Sequence, residues 1–261
     1  MKNFLLLFLF AFIWVALLPL YPSVGEKTEY ALPDDEYVLA VMLGMGTDVL
    51  PAEALKAIAV TLRTYTAFHG KVLPEGKYED ICALTSQEHA EKVYNAIKEA
   101  VDATSGEYVT FNGKIINACF HASSNGNTAD GDTPYLKAAV TPDESSYPLF
   151  YGEQTISPGD IGLCGKGRIT RVSYGSDGKV KRVDFEHGSM SASEFIRCFS
   201  VASVDFDIHS LPDGGYTVFT KGEGNGLGLS LYGAYLLASD GETYKQIICR
   251  YFYGAEITCI I

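Results

Sequence analysis

The longest irregular segment of the sequence, residues 121–148, reads HASSNGNTADGDTPYLKAAVTPDESSYP. It is rich in Ser, Asn and Thr, whose hydroxyl and amide groups hydrogen-bond well to hydroxyl-rich ligands. Loops of this length are usually functional or disordered. The segment therefore predicts a site for a hydroxyl-rich ligand, although a solvated loop with Asx turns would use the same residues.

A second unusual segment, GEGNGLGLSLYGA at residues 222–234, contains five glycines. A phosphate-binding loop would need a basic side chain nearby, and this segment contains none. Because glycine has no Cβ, it lets the backbone approach another group closely. The composition therefore indicates close backbone packing and not side-chain catalysis.

Two long helices are predicted ahead of these segments. The first runs from Pro51 to Phe68, because proline suits the first helical position and apolar residues recur at helical spacing. The second runs from about Ser86 to Ala103, with Thr85 and Glu88 as its capping box.

The hydrophobic period then changes to that of strands. Three hairpins are predicted from their turn residues, at Asn112-Gly113, at Asp177-Gly178 and near Gly214-Gly215. A short helix capped by Ser191 and Glu194 is predicted between the second and third hairpins, and helical segments at about 229–238 and 243–253 close the chain. Helices and antiparallel hairpins mix without a βαβ rhythm, which predicts an α+β fold.

The chain has 261 residues and a net charge of −12, which argues against a nucleic-acid partner because a phosphate backbone needs a basic surface. An unbroken apolar run from Phe4 to Leu18 follows Lys2 and precedes an acidic stretch. This run suits a single-pass membrane anchor or a cleaved signal peptide, so the domain is predicted to lie outside the cytoplasm, tethered or secreted. The predicted organisation is a signal segment at 1–25, an acidic linker at 26–36 and one domain at 37–261.

The sequence contains six cysteines and no CxxC motif: Cys82, Cys119, Cys164, Cys198, Cys249 and Cys259. An even number in an exported chain permits disulfides. Small buried hydrophobic side chains explain them as well, and the sequence favours that interpretation.

Several segments occur in a recognisable order. EALKAIAVTLRTYT precedes NACFHASSNGNTAD, then PYLKAAVTP, then GLGLSLYGAYLLASDGETYKQIICRYFYGAEI. In this order the chain resembles the stage II sporulation protein D family, whose domain is shared with amidase enhancer proteins, from about Tyr37 onward. The resemblance implies a membrane-tethered lytic transglycosylase that acts on peptidoglycan glycan strands, with a cell-wall amidase as a partner.

The chain departs from the family pattern at three positions. The family's glutamate falls on Gly44, its histidine on Asn225 and its glutamine on Leu231. Cleavage of a glycosidic bond needs an acid to protonate the leaving oxygen, and loss of that acid typically lowers the rate ~10²–10⁴-fold. Asp48 lies on the same loop as Gly44 and is the replacement acid that the sequence offers.

The resemblance also assigns residues to a glycan groove: His121, Ser123, Ser124, Asn125, Tyr135, Ser230 and Tyr232. For His121, a structural role at a strand end is the alternative. On the first helix, the match of Arg63 and Tyr65 to the family implies a structural arginine fork. In the first turn of that helix, Glu53 is predicted to complement the helix dipole and to pair with Lys56.

Some members of the family bind zinc through cysteine and histidine residues that follow the first helix. In this chain that region offers His69, Cys82 and His89. Their spacing is not a recognised zinc pattern, and a tetrahedral site needs a fourth ligand. No cofactor is therefore predicted, with zinc as the alternative.

Three functions remain open on the sequence. The first is an exported, membrane-tethered domain that binds or acts on glycan strands with weak or lost lytic activity. The second is an active lytic transglycosylase that uses another acid, such as Asp48. The third is a non-catalytic assembly protein with a vestigial groove.

Overall fold

The computed structural model describes residues 30–46 and 48–260. The predicted signal segment at 1–25 lies outside these residues. Within the described part of the chain, no helix is both long enough and apolar enough to cross a membrane. The architecture mixes helices with mainly antiparallel sheets, which confirms the α+β prediction for the described residues.

The helices and strands follow one another along the chain as α1 (Asp35–Leu43), α2 (Ala52–His69), α3 (Tyr78–Leu84), α4 (Gln87–Ala103), β1 (Glu107–Phe111), β2 (Lys114–Ile115), β3 (Phe120–His121), β4 (Tyr151–Ile156), α5 (Pro158–Cys164), β5 (Ile169–Tyr174), β6 (Val180–Phe185), β7 (Gly188–Ser191), α6 (Ala192–Cys198), β8 (Phe206–Ser210), β9 (Tyr216–Lys221), β10 (Leu229–Ser230), α7 (Leu231–Ser239), α8 (Tyr244–Tyr251) and β11 (Glu256–Cys259).

The larger apolar core is helical and is built around α2. This helix contacts α1, α4, α7 and α8, and most of its residues are buried. Its predicted bounds are confirmed to within one residue at each end, with Pro51 as the N-cap. The predicted pair of Glu53 and Lys56 is also confirmed, at 2.7 Å.

Arg63 ties this helical core together. Its side chain is 1% exposed and donates to Asp35 Oδ1 from Nη2 at 2.7 Å and from Nε at 3.1 Å. Nη2 also lies 3.3 Å from the carbonyl oxygen of Val101, on α4. The guanidinium therefore joins α1, α2 and α4, which confirms the structural role implied for Arg63.

The second core belongs to a lobe of antiparallel sheets. One sheet has the order β4-β9-β8 and the other β5-β6-β7, and helices α5 and α6 contribute to the apolar cluster between them. The predicted hairpins β5–β6 and β8–β9 are confirmed. The predicted turn between β1 and β2 is confirmed too, since Asn112 has φ 52° and Gly113 has φ 73°, as a type I′ turn requires.

Two details differ from the sequence predictions. Helix α4 is capped by Ser86, whose Oγ accepts from the His89 amide at 3.3 Å, so the predicted capping box at Thr85 is wrong. The Thr85 hydroxyl donates instead to the Ile81 carbonyl at the end of α3. Helix α1, which the sequence analysis missed, begins inside the predicted acidic linker because Asp34 Oδ1 accepts from the Tyr37 amide at 2.7 Å.

The glycine-rich segment packs against the chain's own backbone. Strand β10 pairs in parallel with β3, so that Leu229 lies opposite Phe120 and Ser230 opposite His121. A Cβ at Gly228, whose φ is 68°, would overlap the carbonyl oxygen of Cys119. Glycine is required there by both its φ and this close approach.

We expect Gly228→Ala to destabilise the protein by about 3 kcal/mol or more, because it combines backbone strain with a steric overlap. Gly178→Ala is the matched control, since Gly178 has φ 77° but no atom within 4 Å of an added Cβ. Strain alone should cost that variant about 1–2 kcal/mol. Urea unfolding measures both values, and equal losses would contradict the packing requirement at Gly228.

Candidate functional site

The two segments that the sequence analysis singled out lie against each other. The amide of Ser123 donates to the carbonyl of Glu223 at 3.2 Å, and the amide of Glu223 donates to the carbonyl of Ser123 at 2.8 Å. Together with the β3–β10 pair, these bonds hold the start of the 121–148 loop on the glycine-rich segment. The candidate site therefore combines both segments.

His121 is completely buried at this junction. Its Nδ1 lies 3.0 Å from the Leu227 carbonyl and its Nε2 lies 2.5 Å from Ser124 Oγ. Because a carbonyl can only accept, Nδ1 carries the proton and Nε2 accepts from the Ser124 hydroxyl. Burial lowers the pKa of His121 to about 4, so the ring is neutral at neutral pH and fixes the loop without charge.

Glu144 occupies the centre of the site and is 1% exposed. Its Oε2 accepts from the amide of Ser124 and from the hydroxyl of Ser230, both at 2.8 Å. Its Oε1 is buried and has no hydrogen-bond partner among the described residues. Burial raises the pKa of Glu144 to about 7, although the hydrogen bond from the Ser124 amide acts to lower this pKa.

A second buried carboxyl group, that of Glu223, lies in the glycine-rich segment. The hydroxyl of Tyr147 donates to its Oε2, and the Tyr147 ring packs on Tyr232 with a centroid distance of 5.3 Å. Burial raises the pKa of Glu223 to about 7 as well. Glu144 and Glu223 are not among the residues predicted from the sequence, because a glutamate in a polar loop has the same local signature whether it is buried or solvated.

Most of the residues assigned to a glycan groove are buried side chains of this network: His121, Ser123, Ser124, Ser230 and Tyr232, all at most 4% exposed. Asn125 is partly exposed, and its Nδ2 donates to Asp205 Oδ2 at 3.0 Å. Tyr135 is also partly exposed, and its hydroxyl accepts from the Asn117 amide at 3.2 Å. The observed contacts position loops, and direct contact of these side chains with a glycan stays a prediction.

The position matched to the family's glutamate lies at the end of α1. Gly44 has φ −75° and ψ −12°, a conformation open to any residue, and its neighbours Met45 and Gly46 also lack a carboxylate. Gly76 packs on Gly44 so closely that a Cβ at Gly76 would overlap the Gly44 backbone, and its amide donates to the Ala40 carbonyl at 2.8 Å. This contact brings the exposed Glu75 next to the end of α1, which the sequence did not indicate.

Asp48, the replacement acid predicted from the sequence, is partly buried beyond this helix end. Its Oδ2 is buried without a hydrogen-bond partner among the described residues. Burial raises the pKa of Asp48, and the charge of the neighbouring His89 opposes the rise. The surroundings of Asp48 thus make its carboxyl group easier to protonate than a solvated aspartate.

The two other divergent positions have structural tasks. Asn225 Oδ1 accepts from the Leu227 amide at 3.0 Å, which closes a turn in the glycine-rich segment. Leu231 is 8% exposed and packs in the helical core. Neither side chain offers an ionisable group.

The residues considered for zinc lie in different surroundings. His69 Nε2 is 2.8 Å from Asn117 Oδ1, and its ring lies against Tyr65 at 4.4 Å between centroids. Cys82 packs against the helical core, whereas His89 is near Asp48. The described residues contain no group of three or more His, Cys, Asp or Glu that could hold a metal ion. The prediction of no cofactor, with zinc as the alternative, stays a prediction.

Comparisons with known proteins agree with the resemblance noted in the sequence. Residues 25–111 match the family model described as Stage II sporulation protein. Stage II sporulation protein D of Bacillus subtilis (strain 168) is 26% identical across 92% of this chain and 78% of that protein, and its counterpart in Bacillus amyloliquefaciens has the same values. An uncharacterized protein of Brachyspira hyodysenteriae is 27% identical across 85% of this chain and 66% of its own length. The resemblance to stage II sporulation protein D is confirmed.

The buried carboxyl groups predict an unusual dependence of stability on pH. Their pKa values in the folded protein, about 7, lie above the ordinary value of 4.5, so the unfolded chain loses these protons first as the pH rises. The contribution of these two groups to the free energy of unfolding is therefore largest below about pH 4.5. It falls as the pH rises from about 4.5 to about 7, and it is constant above that range.

The side chain of Glu144→Gln mimics the neutral carboxyl group. Between about pH 5 and about pH 8, we expect the free energy of unfolding of this variant to fall by about 2–3 kcal/mol less than that of the wild type. Glu194→Gln is the control, because a bond from the Ser191 amide lowers the pKa of Glu194 and keeps it ionised across that window. Denaturant unfolding at each pH provides the measurement. A Glu144→Gln variant with the wild-type pH dependence would show that this carboxyl is not protonated in the folded protein.

Proposed function

We propose that this chain is a sporulation-related, cell-wall-associated protein that binds peptidoglycan glycan strands and has weak or lost lytic transglycosylase activity. Its similarity to stage II sporulation protein D supports the sporulation and cell-envelope assignment. The observation that carries the loss of activity is the end of α1, where Gly44, Met45 and Gly46 offer no carboxylate.

The absence of a carboxylate at the end of α1 matters because cleavage of a glycosidic bond needs an acid. In a lytic transglycosylase, a hydroxyl of the same sugar attacks the anomeric carbon as the glycosidic bond breaks. One acid can serve both halves of the step, since it gives its proton to the leaving oxygen and recovers one from the attacking hydroxyl. Loss of such a group typically lowers the rate ~10²–10⁴-fold. Asn225 cannot replace it, because an amide does not titrate near neutral pH.

Glycan binding does not need that acid. The buried contacts of His121 and Glu144 hold the 121–148 loop in place, so little ordering entropy would be lost when a ligand binds. The rim of the loop offers an apolar side chain, Val140, which is 74% exposed, beside polar neighbours. We propose that this rim contacts the sugar rings, that the N-terminal segment tethers the domain outside the cytoplasm, and that a cell-wall amidase supplies peptide-free strands.

A second candidate, an active lytic enzyme, is favoured by specific observations near α1. Asp48 has a raised pKa and a buried oxygen without a partner among the described residues. Glu75 reaches the same helix end through the contact of Gly76 with Gly44. Either carboxyl group would supply the acid if it reached the glycosidic oxygen.

We expect the full chain to co-sediment with glycan strands that an amidase has freed of peptides. Val140→Asp should weaken this binding about fivefold to tenfold, because it places a carboxylate against the sugars and their lactyl carboxylates. Leu163→Asp is the matched control, since Leu163 is 88% exposed in the other lobe. Equal binding by both variants would exclude the loop rim. No binding by the wild type would favour a non-catalytic assembly protein.

We expect the wild-type chain to release few or no anhydro-sugar oligosaccharides from the same peptide-free strands, measured by mass spectrometry. Gly44→Glu should increase release, because φ −75° accepts glutamate without backbone strain. Robust release by the wild type would contradict the proposed loss of activity. Its elimination by Asp48→Asn or by Glu75→Gln, but not by the control Glu79→Gln, would then identify the acid.

A further inference from the structure

A cavity of about 390 Å³ opens in the sheet lobe, away from the candidate site. Cys164, the last residue of α5, and Cys198, the last residue of α6, both line it. Leu163 on its rim is 88% exposed. None of these residues takes part in the glycan site proposed above.

The two thiols differ in exposure and are electrostatic neighbours. Cys198 is exposed, whereas Cys164 is partly buried and its Sγ donates to the Ile161 carbonyl at 3.0 Å. Burial raises the pKa of the Cys198 thiol, and the nearby Cys164 raises it further. Arg197 and Lys166 act in the opposite direction but do not reverse the rise in the pKa of Cys198.

These positions correct one sequence expectation. The sequence favours small buried side chains for the cysteines, but Cys198, Cys249 and Cys259 are exposed. All six cysteines are free thiols. Among them, Cys164 and Cys198 share a solvent-open cavity, and the export proposed above for this chain would place both thiols in an oxidising environment.

We propose that Cys164 and Cys198 are a redox-active pair that closes to a disulfide when it meets a disulfide-bearing oxidant. Cys198, the more exposed of the two residues, attacks one sulfur of the oxidant as its thiolate and displaces the first thiol. The thiolate of Cys164 then attacks the Cys198 sulfur of this mixed disulfide and displaces the second thiol. Overall, the two cysteines lose two electrons and two protons, and the oxidant becomes two thiols.

The bond would join the ends of α5 and α6 and enclose β5, β6 and β7. Such a closed loop stabilises the fold mainly by restricting the unfolded chain. The enclosed hairpin supports the 121–148 loop, since Lys179 Nζ donates to the Asn125 carbonyl at 3.1 Å and Asp177 Oδ2 accepts from the Asp130 amide at 2.7 Å. Oxidation would therefore fix the lobe on which that loop rests.

The test uses the full-length chain, purified with a reductant and then exposed to oxidised glutathione. We expect an intact mass about 2 Da lower and a non-reduced peptide map that links Cys164 to Cys198. The melting temperature should rise by roughly 5–10 °C and return to its starting value after reduction. Cys164→Ser and Cys198→Ser should each abolish that rise, whereas Cys249→Ser, which changes an exposed thiol outside the lobe, should retain it.

The peptide map of the wild type decides the outcome without depending on any variant. A glutathione adduct that persists on Cys198 beside a free Cys164 would overturn the proposal, as would a link between other cysteines. Protection of both thiols from alkylation by Zn²⁺, with no disulfide after oxidation, would also overturn it and would assign the pair to metal binding.

Discussion

The candidate site depends on the hydrogen bonds that the buried carboxyl group of Glu144 accepts. One of its oxygens accepts from the Ser124 amide and from the Ser230 hydroxyl, so it joins the 121–148 loop to the start of α7. Ser230 Oγ also accepts from the Gly233 amide at 3.1 Å and so caps that helix. Loss of either partner would leave a buried polar group unsatisfied, which costs about 1–3 kcal/mol.

Buried ionic contacts organise the regions on either side of this centre. Arg63 joins three helices through Asp35 and the Val101 carbonyl. Lys179, which is 4% exposed, pairs with Asp205 at 2.6 Å and thereby connects the sheet lobe to the loop at Asn125. Breaking a buried pair is far more damaging than breaking a surface pair, because the remaining charge stays in a poorly solvated place. The loop is thus held from both lobes.

This arrangement explains how the framework can be retained while Gly44 stands at the position matched to the family's glutamate. The hydroxyl and imidazole groups that the resemblance assigned to a glycan are occupied in holding loops, as His121 and Ser124 show. These groups are needed to hold the loops in place, and that role does not depend on which residue stands at the end of α1. The position that the resemblance matches to the family's glutamate carries Gly44, and Gly76 packs against it. Under the proposed function, glycan binding would therefore not require the acid that bond cleavage needs.

The sequence by itself determined the structural features that depend on residues adjacent to one another in the chain. The bounds of α2, the Asn112-Gly113 turn, the capping box of α6 and the α+β character follow from local periodicity and capping chemistry. The order of motifs also indicated the family resemblance. Only the tertiary structure decided which polar residues are buried: Ser230 meets Glu144, and Tyr147 meets Glu223, across 86 and 76 residues. No local pattern encodes such contacts, because burial and pKa depend on the segments that pack around a residue and not on those beside it in the chain.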